Sequence, residues 1–195
     1  MIKGPTRKRI WKADPWLDDN ETLEPKDYEG ASEQGGFDRG HQAPLASFSG
    51  TDSWFELNYL SNITPQKADL NRGAWEKLEQ DVRDLLDSFD VAFVMTGPLY
   101  EKDMGTLPGA NESLVIPSGY WKIIIVPLNT NKFESAAFIF EQSTDKNDLV
   151  TNHITTIDEI EKRSKLNFLW LLDKKTADKV ESETNTDWIK KEFTR

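Results

Sequence analysis

Apolar positions recur at helical spacing in one stretch of the chain and run without interruption in three others. Between 70 and 87, Trp75, Leu78, Val82, Leu85 and Leu86 fall three, four, three and one apart. At about 100° per residue that spacing keeps them on one face of a helix. Asp69 or Asn71 is placed to cap its start. Residues 91–96 (VAFVMT), 120–126 (YWKIIIV) and 136–140 (AAFIF) predict strands covered on both faces. Residues 54–63 (WFELNYLSNI) hold enough aromatic and branched side chains for a strand ending at Asn62. Residues 37–49 start extended and hold a Gly and a Pro, which predicts a strand running into an exposed turn. The Asp, Glu, Pro and Gly of 13–36 predict an irregular acidic loop. A short helix at 156–163 and a mixed C-terminal segment complete the pattern. With no repeat, low-complexity tract or long linker, 1–195 reads as one α+β domain with a strand–loop–strand–helix unit in its first half.

Composition narrows the chemistry. There are no cysteines and only two histidines, His41 and His153, which excludes disulfides, thiolate metal sites and sites with several imidazole ligands. A metal here must be a hard cation held by oxygen, such as Mg2+, Mn2+ or Ca2+. No run approaches the ~20 continuous apolar residues of a membrane helix, so no membrane partner is expected. The N-terminus lacks the apolar run of a signal peptide. It fits a cytoplasmic protein or a chain whose leader has been removed, with a secreted or periplasmic location favoured.

The net charge of −10 argues against long-range attraction to nucleic acid. Charge is uneven, however. Lys3, Arg7, Lys8, Arg9 and Lys12 form a basic cluster, while acidic residues crowd 18–33 and 79–90. A cleft lined locally by arginine binds a polyanion even on an acidic protein, at a cost in steering. His153 and the acidic clusters at 84–90 and 157–161 read as exposed and solvated.

The chemistry-bearing residues gather in the first-half unit. Positions 71, 75, 79 and 83 sweep only about 120° of a helix, so Asn71, Trp75, Glu79 and Arg83 share a face with the apolar set. Arg72, Glu76, Gln80, Asp84 and Asp87 then point to solvent. Polar groups on a core-facing side need partners. Either Glu79 and Arg83 form an internal i, i+4 ion pair with Asn71 as a cap, or the three build a metal and phosphate site. His41 follows Asp38 and Arg39 on what reads as a glycine-hinged turn, presenting an anion binder and a titratable base together. Phosphodiester hydrolysis needs a base for water, cations for the developing charge and a metal near the leaving oxygen. His41, Arg39 with Arg83, and a cation on Asn71 would supply those parts. An ordinary histidine pKa of roughly 6.5 suits that base.

The motifs FDRGHQAP (37–44), SNITPQ (61–66) and LNRGAWEKLEQDVR (70–83) resemble the DNA/RNA non-specific endonucleases, the ββα-metal group that includes endonuclease G. The resemblance continues through TGPLY (96–100), VIPSGYWK (115–122) and IEKRSKLNFL (160–169) and so covers nearly the whole chain. It implies a ββα-metal (His-Me finger) fold with a central, mainly antiparallel sheet flanked by helices, its site built mainly by 37–87. It also implies one Mg2+, with Mn2+ as substitute, and hydrolysis of phosphodiester bonds in DNA and RNA, with little base preference expected because the contacts go to phosphate. His41 matches the general base and Asn71 the single protein ligand of the metal. Glu79 matches the acid that holds the metal's water. Asn62 matches a residue that orients the site, and Arg83 a phosphate-binding arginine. Asp38 and Arg39 complete the motif, with Arg39 on phosphate and Asp38 supporting the geometry. RKRIWKAD (7–14) is similar to the family's R-x-x-x-F-x-x-D stretch, which offers Arg7 as a further phosphate contact.

One departure is that only six residues precede Arg7, fewer than the strand-forming stretch usual in the family. A trimmed N-terminus or a differently built sheet edge is expected. The alternative function is a silent nuclease fold that binds nucleic acid or a partner protein without cutting. A toxin or effector domain of the same chemistry is a further reading. Monomer and homodimer both fit, and an inhibitor protein is left open.

Overall fold

A computed structural model describes residues 9–111, 115–129 and 132–195; Arg7 lies outside them. The centre is a four-stranded antiparallel sheet in the order β3 (Phe93–Leu99), β4 (Gly119–Asn129), β5 (Lys132–Glu141) and β6 (Ile154–Thr155). Strand alternation divides β4 between two cores. Tyr120, Ile124 and Val126 pack with Trp75, Leu78 and Leu85 of the long helix and with Ile189 and Phe193 near the C-terminus. Trp121, Ile123 and Ile125 pack on the opposite face with Ile157 and Ile160. Both faces of β4 are therefore covered, which is why its sequence is a continuous apolar run. The helices involved are α3 (Ala74–Leu85) and α6 (Thr186–Glu192) on one side and α4 (Ile157–Ser164) with α5 (Lys174–Ser182) on the other. Edge strand β3 runs on through Gly97 and Pro98, a position where a proline costs no ladder bond on its free side.

The second sheet is a two-stranded antiparallel pair, β1 (Phe37–His41) and β2 (Ile63–Lys67). It leads directly into α2 (Ala68–Asn71) and then α3, giving the β-β-α order implied by the motifs. Pro65 of β2 ties the pair to the central sheet. Its carbonyl accepts from the Tyr120 hydroxyl and the Gln142 amide, each at 2.8 Å, and Gln142 Oε1 accepts from Lys67 N at 2.8 Å. A third core of Leu23, Tyr28, Ala31, Phe37, Leu60 and Ile63 fills the outer side of this pair.

Four expectations are corrected. The predicted strand at 54–63 is instead two 3-10 turns, Trp54–Asn58 and Leu60–Asn62, and the strand starts at Ile63. Local bonds from the amides of Glu56, Tyr59 and Asn62 to carbonyls three residues back replace a ladder. The helix predicted over 70–87 is broken at Arg72–Gly73. A Cβ on Gly73 would lie 2.4 Å from the carbonyl oxygens of both Asp69 and Lys146, so the break is possible because only hydrogen stands there. Leu86, just beyond the helix end, is 54% exposed. The stretch 13–36 is not wholly irregular: it holds a 3-10 turn, Pro25–Tyr28, and the short helix α1 (Ala31–Gly35), seated by Leu23, Tyr28 and Ala31. Among the described residues no helix is long and apolar enough to cross a membrane.

Candidate active site

His41 is the last residue of β1 and pairs across to Ile63. Gly40 is not a hinge, as the sequence suggested, but a strand position opposite Thr64. A Cβ there would fall 2.5 Å from Gln66 Oε1 and 2.7 Å from Gln66 Cβ, so the glycine lets β1 close on β2. The His41 ring lies against Trp11, with centroids 5.4 Å apart. Its Nε2 is 3.3 Å from Oδ1 of Asn58, a residue buried to 1% exposure. Asn58 Nδ2 donates to Phe55 O at 3.4 Å, which turns its oxygen toward the ring. The network thus assigns the proton to Nε2 and leaves the Nδ1 lone pair free. Burial pushes the His41 pKa down from its ordinary value to about 4, against the upward pull of Asn58 and with help from the Arg9 charge. The imidazole is therefore neutral at physiological pH, the form a general base requires.

Asp38 organises the next group. Its Oδ2 accepts from Asn71 Nδ2 at 2.9 Å, and its two oxygens take a bidentate grip from Arg72 at 2.7 and 2.5 Å. Arg72 faces solvent as expected, with a side chain 60% exposed, and it reaches Asp38 from the outer rim. Fixing the Asn71 amide nitrogen on Asp38 leaves Asn71 Oδ1 as a neutral oxygen for a ligand.

The cations follow. Arg39 donates to Pro25 O at 3.3 Å and its guanidinium lies over the rings of Tyr28 and Trp11, 4.8 and 5.5 Å from their centroids. Arg83 donates from Nη2 to Gln80 Oε1 at 2.9 Å. Arg39 Nε and Arg83 Nη1 are buried without a partner among the described residues. The internal ion pair between Glu79 and Arg83 is not made among the described residues. Burial raises the Glu79 pKa, opposed by the charges of Lys122 and Arg83. Lys122 on β4 is fully buried, donates to Thr96 Oγ1 at 2.7 Å, and sits 4.5 Å from the Trp75 ring centroid. Burial lowers its pKa to about 8.

These groups meet in one cavity of about 450 Å³. Asp38, Arg39 and His41 enter from β1, and Asn71, Glu79 and Arg83 from the helices. Arg9, Trp11, Arg72 and Glu76, which the sequence reading did not place there, also line it. Four arginines and three carboxylates thus make the cavity locally positive on an acidic chain. Asn71 Oδ1 and the carboxylates that line the same cavity are all oxygen donors, the ligand chemistry a hard divalent cation takes.

Asn62 does not line the cavity. Its side chain bonds Ala43 N at 2.9 Å, Ala43 O at 3.1 Å and Leu57 O at 3.0 Å, so it clamps the segment that follows His41. His153, expected to be exposed, is half-buried, stacked on Phe140 at 4.3 Å and bonded to Asp148 at 3.1 Å. The acidic trio Asp158, Glu161 and Glu181 comes within ion-binding distance, but on α4 and α5, across the sheet from α3.

The sequence model of the family described as DNA/RNA non-specific endonuclease matches residues 1–175. This chain belongs to that family. Among the family's relatives, the nuclease of Serratia marcescens is 50% identical over 166 residues, which is 84% of this chain and 62% of that protein. Mitochondrial endonuclease G of Homo sapiens is 31% identical over 154 residues, 73% of this chain and 50% of that one. The chain therefore spans between half and just over three fifths of the length of these family members. The family fold is met again in EndoG of a solved EndoG/EndoGI complex, with a TM-score of 0.74 at 24% identity, covering 87% of this chain and 72% of that one. That likeness establishes the α+β fold of the family.

Proposed function

We propose that this chain is a metal-dependent endonuclease that hydrolyses phosphodiester bonds of DNA and RNA without regard to the sugar. One observation carries the reading: a neutral histidine, with Nε2 engaged by Asn58 and Nδ1 free, shares a cavity with the unpartnered nitrogens of Arg39 and Arg83 and the free oxygen of Asn71. His41 Nδ1 takes a proton from water as that water attacks phosphorus. Arg39 and Arg83 donate to the non-bridging oxygens and offset the charge that builds there. Asn71 would hold Mg2+, or Mn2+ in its place, and the bound cation would supply charge stabilisation at the leaving oxygen. Glu79 orients the water around that site, Asp38 fixes the Asn71 amide, and Asn62 holds the segment behind His41. The contacts address phosphate, not base edges, which accounts for activity on either nucleic acid.

Cleavage of plasmid DNA and of RNA, with and without divalent metal, tests the proposal. His41→Ala is expected to lower the rate by roughly 10²–10⁴ with the fold retained. Equal cutting by wild type and His41→Ala, or full activity in EDTA, would overturn it.

A further inference from the structure

A second cavity of about 590 Å³ adjoins the candidate active site and shares Ala46, Glu79 and Arg83 with it. Its character is different. Phe48 on the segment after β1, Val82 on α3, Leu86 just beyond its end, and Val94 on β3 form its walls. Three of these are large apolar side chains left open to solvent: Phe48 at 42%, Leu86 at 54% and Val94 at 40%. Exposed apolar groups gathered round a concave site mark a place for a ligand. The volume falls in the range of roughly 300–1,000 Å³ typical of small-molecule sites.

We propose that this cavity receives the nucleoside flanking the scissile phosphate on one side, its base lying against Phe48 between the walls of α3 and β3. The inference rests on the nuclease reading above. Three features commit the cavity to that occupant. A phosphate held by Arg83 is covalently tied to its neighbouring nucleosides, and Arg83 stands on the border of the two cavities. An aromatic ring beside branched apolar side chains matches the faces of a base, which stack without regard to identity. Several polar groups of the wall are engaged within the protein: Ser49 Oγ donates to Ala46 O at 3.3 Å, Thr51 Oγ1 to Phe48 O at 2.9 Å, and Lys122 Nζ to Thr96. Stacking on apolar walls, not edge contacts, then holds the base, so the cavity is indifferent to which one it is. A substrate lacking that base should be poor, although every phosphate contact is intact.

The test uses oligonucleotides with a single cleavable phosphodiester, the other linkages being methylphosphonates. The nucleotide on either side of the cleavable bond is varied between base-bearing and abasic. Wild type with Mg2+ should lose roughly 5- to 150-fold in kcat/KM when the base on one flank is removed, mainly through KM, and little when the other is removed. Phe48→Ala, and separately Val94→Trp, which fills the space, should impose a loss of the same size on the base-bearing substrate and none on the abasic one. Thermal melting of both variants checks that they fold. Wild type that cuts DNA but treats base-bearing and abasic flanks alike would overturn this inference and leave the nuclease reading standing. So would variants that harm both substrates equally. Wild type that cuts neither substrate nor plasmid would overturn both.

Discussion

Asn58 makes the sharpest demand on the mechanism, because it touches His41 but does not line the cavity. Replacing it by leucine keeps the volume and removes the acceptor, so the half-buried Nε2–H loses its partner and the ring is free to change tautomer or turn. An unsatisfied donor in such a place costs about 1–3 kcal/mol. If that energy is lost from the alignment of the base, kcat falls about 5- to 150-fold, since about 1.4 kcal/mol is tenfold. KM should hold, because substrate meets no part of Asn58. Asn58→Asp keeps the acceptor and adds a charge that favours imidazolium. His41 should then titrate above the value of about 4 to which burial drives it, and the acid limb of the rate profile should move up in pH. The assay is steady-state cleavage of one oligonucleotide at saturating metal from pH 4 to 9, with melting curves for each variant. An Asn58→Leu enzyme with kcat within about twofold of wild type, or one altered only in KM, would refute the orienting role. An unshifted acid limb in Asn58→Asp would refute the electrostatic argument.

Asp38→Ala frees the Asn71 amide and Arg72 together, and should raise the metal concentration for half-maximal activity by about 10–100-fold; activation curves in Mg2+ read this directly, and an unchanged curve would count against Asn71 as the ligand. The folded state holds His41 at about 4 against an ordinary 6.5, so the unfolded chain binds the extra proton as pH falls between those values. His41 thus withdraws stability on acidification, up to about 3 kcal/mol by pH 4, and nothing above neutrality. Urea unfolding at pH 7.5 and 4.5 should show a smaller acid loss in His41→Gln than in wild type, and equal losses would contradict the burial argument.

The fold was legible where periodicity was strong. The α3 stripe and the run at 120–126 announced the long helix and the central strand, since both elements are held by tertiary burial of those very residues. The cavity residues of β1 and α3 were legible from motif and helical phase alike. Asn58 was not, because it lies 17 residues from His41 inside a 3-10 turn whose aromatic content imitates a strand. Arg72 is exposed as its phase implied, but its grip on Asp38, 34 residues away along the chain, leaves no mark in a one-dimensional pattern. Lys122 sits within an apolar run, and no one-dimensional pattern tells that its alternate face turns toward Glu79. Trp11 and Arg9 reach the cavity from the start of the described chain, a distance in space that composition does not encode.

The bond from β2 to the main sheet has a further consequence. A two-stranded ribbon is marginal by itself in water, and this one carries His41 while meeting the other sheet through Tyr120 and Gln142, bonded at Pro65 O and Lys67 N. Opening of the ribbon ahead of the large core would make the proposed cleavage the most fragile property of the molecule. In rising denaturant, cleavage would fade before the far-ultraviolet dichroism changes, and on refolding it would be the last property to return.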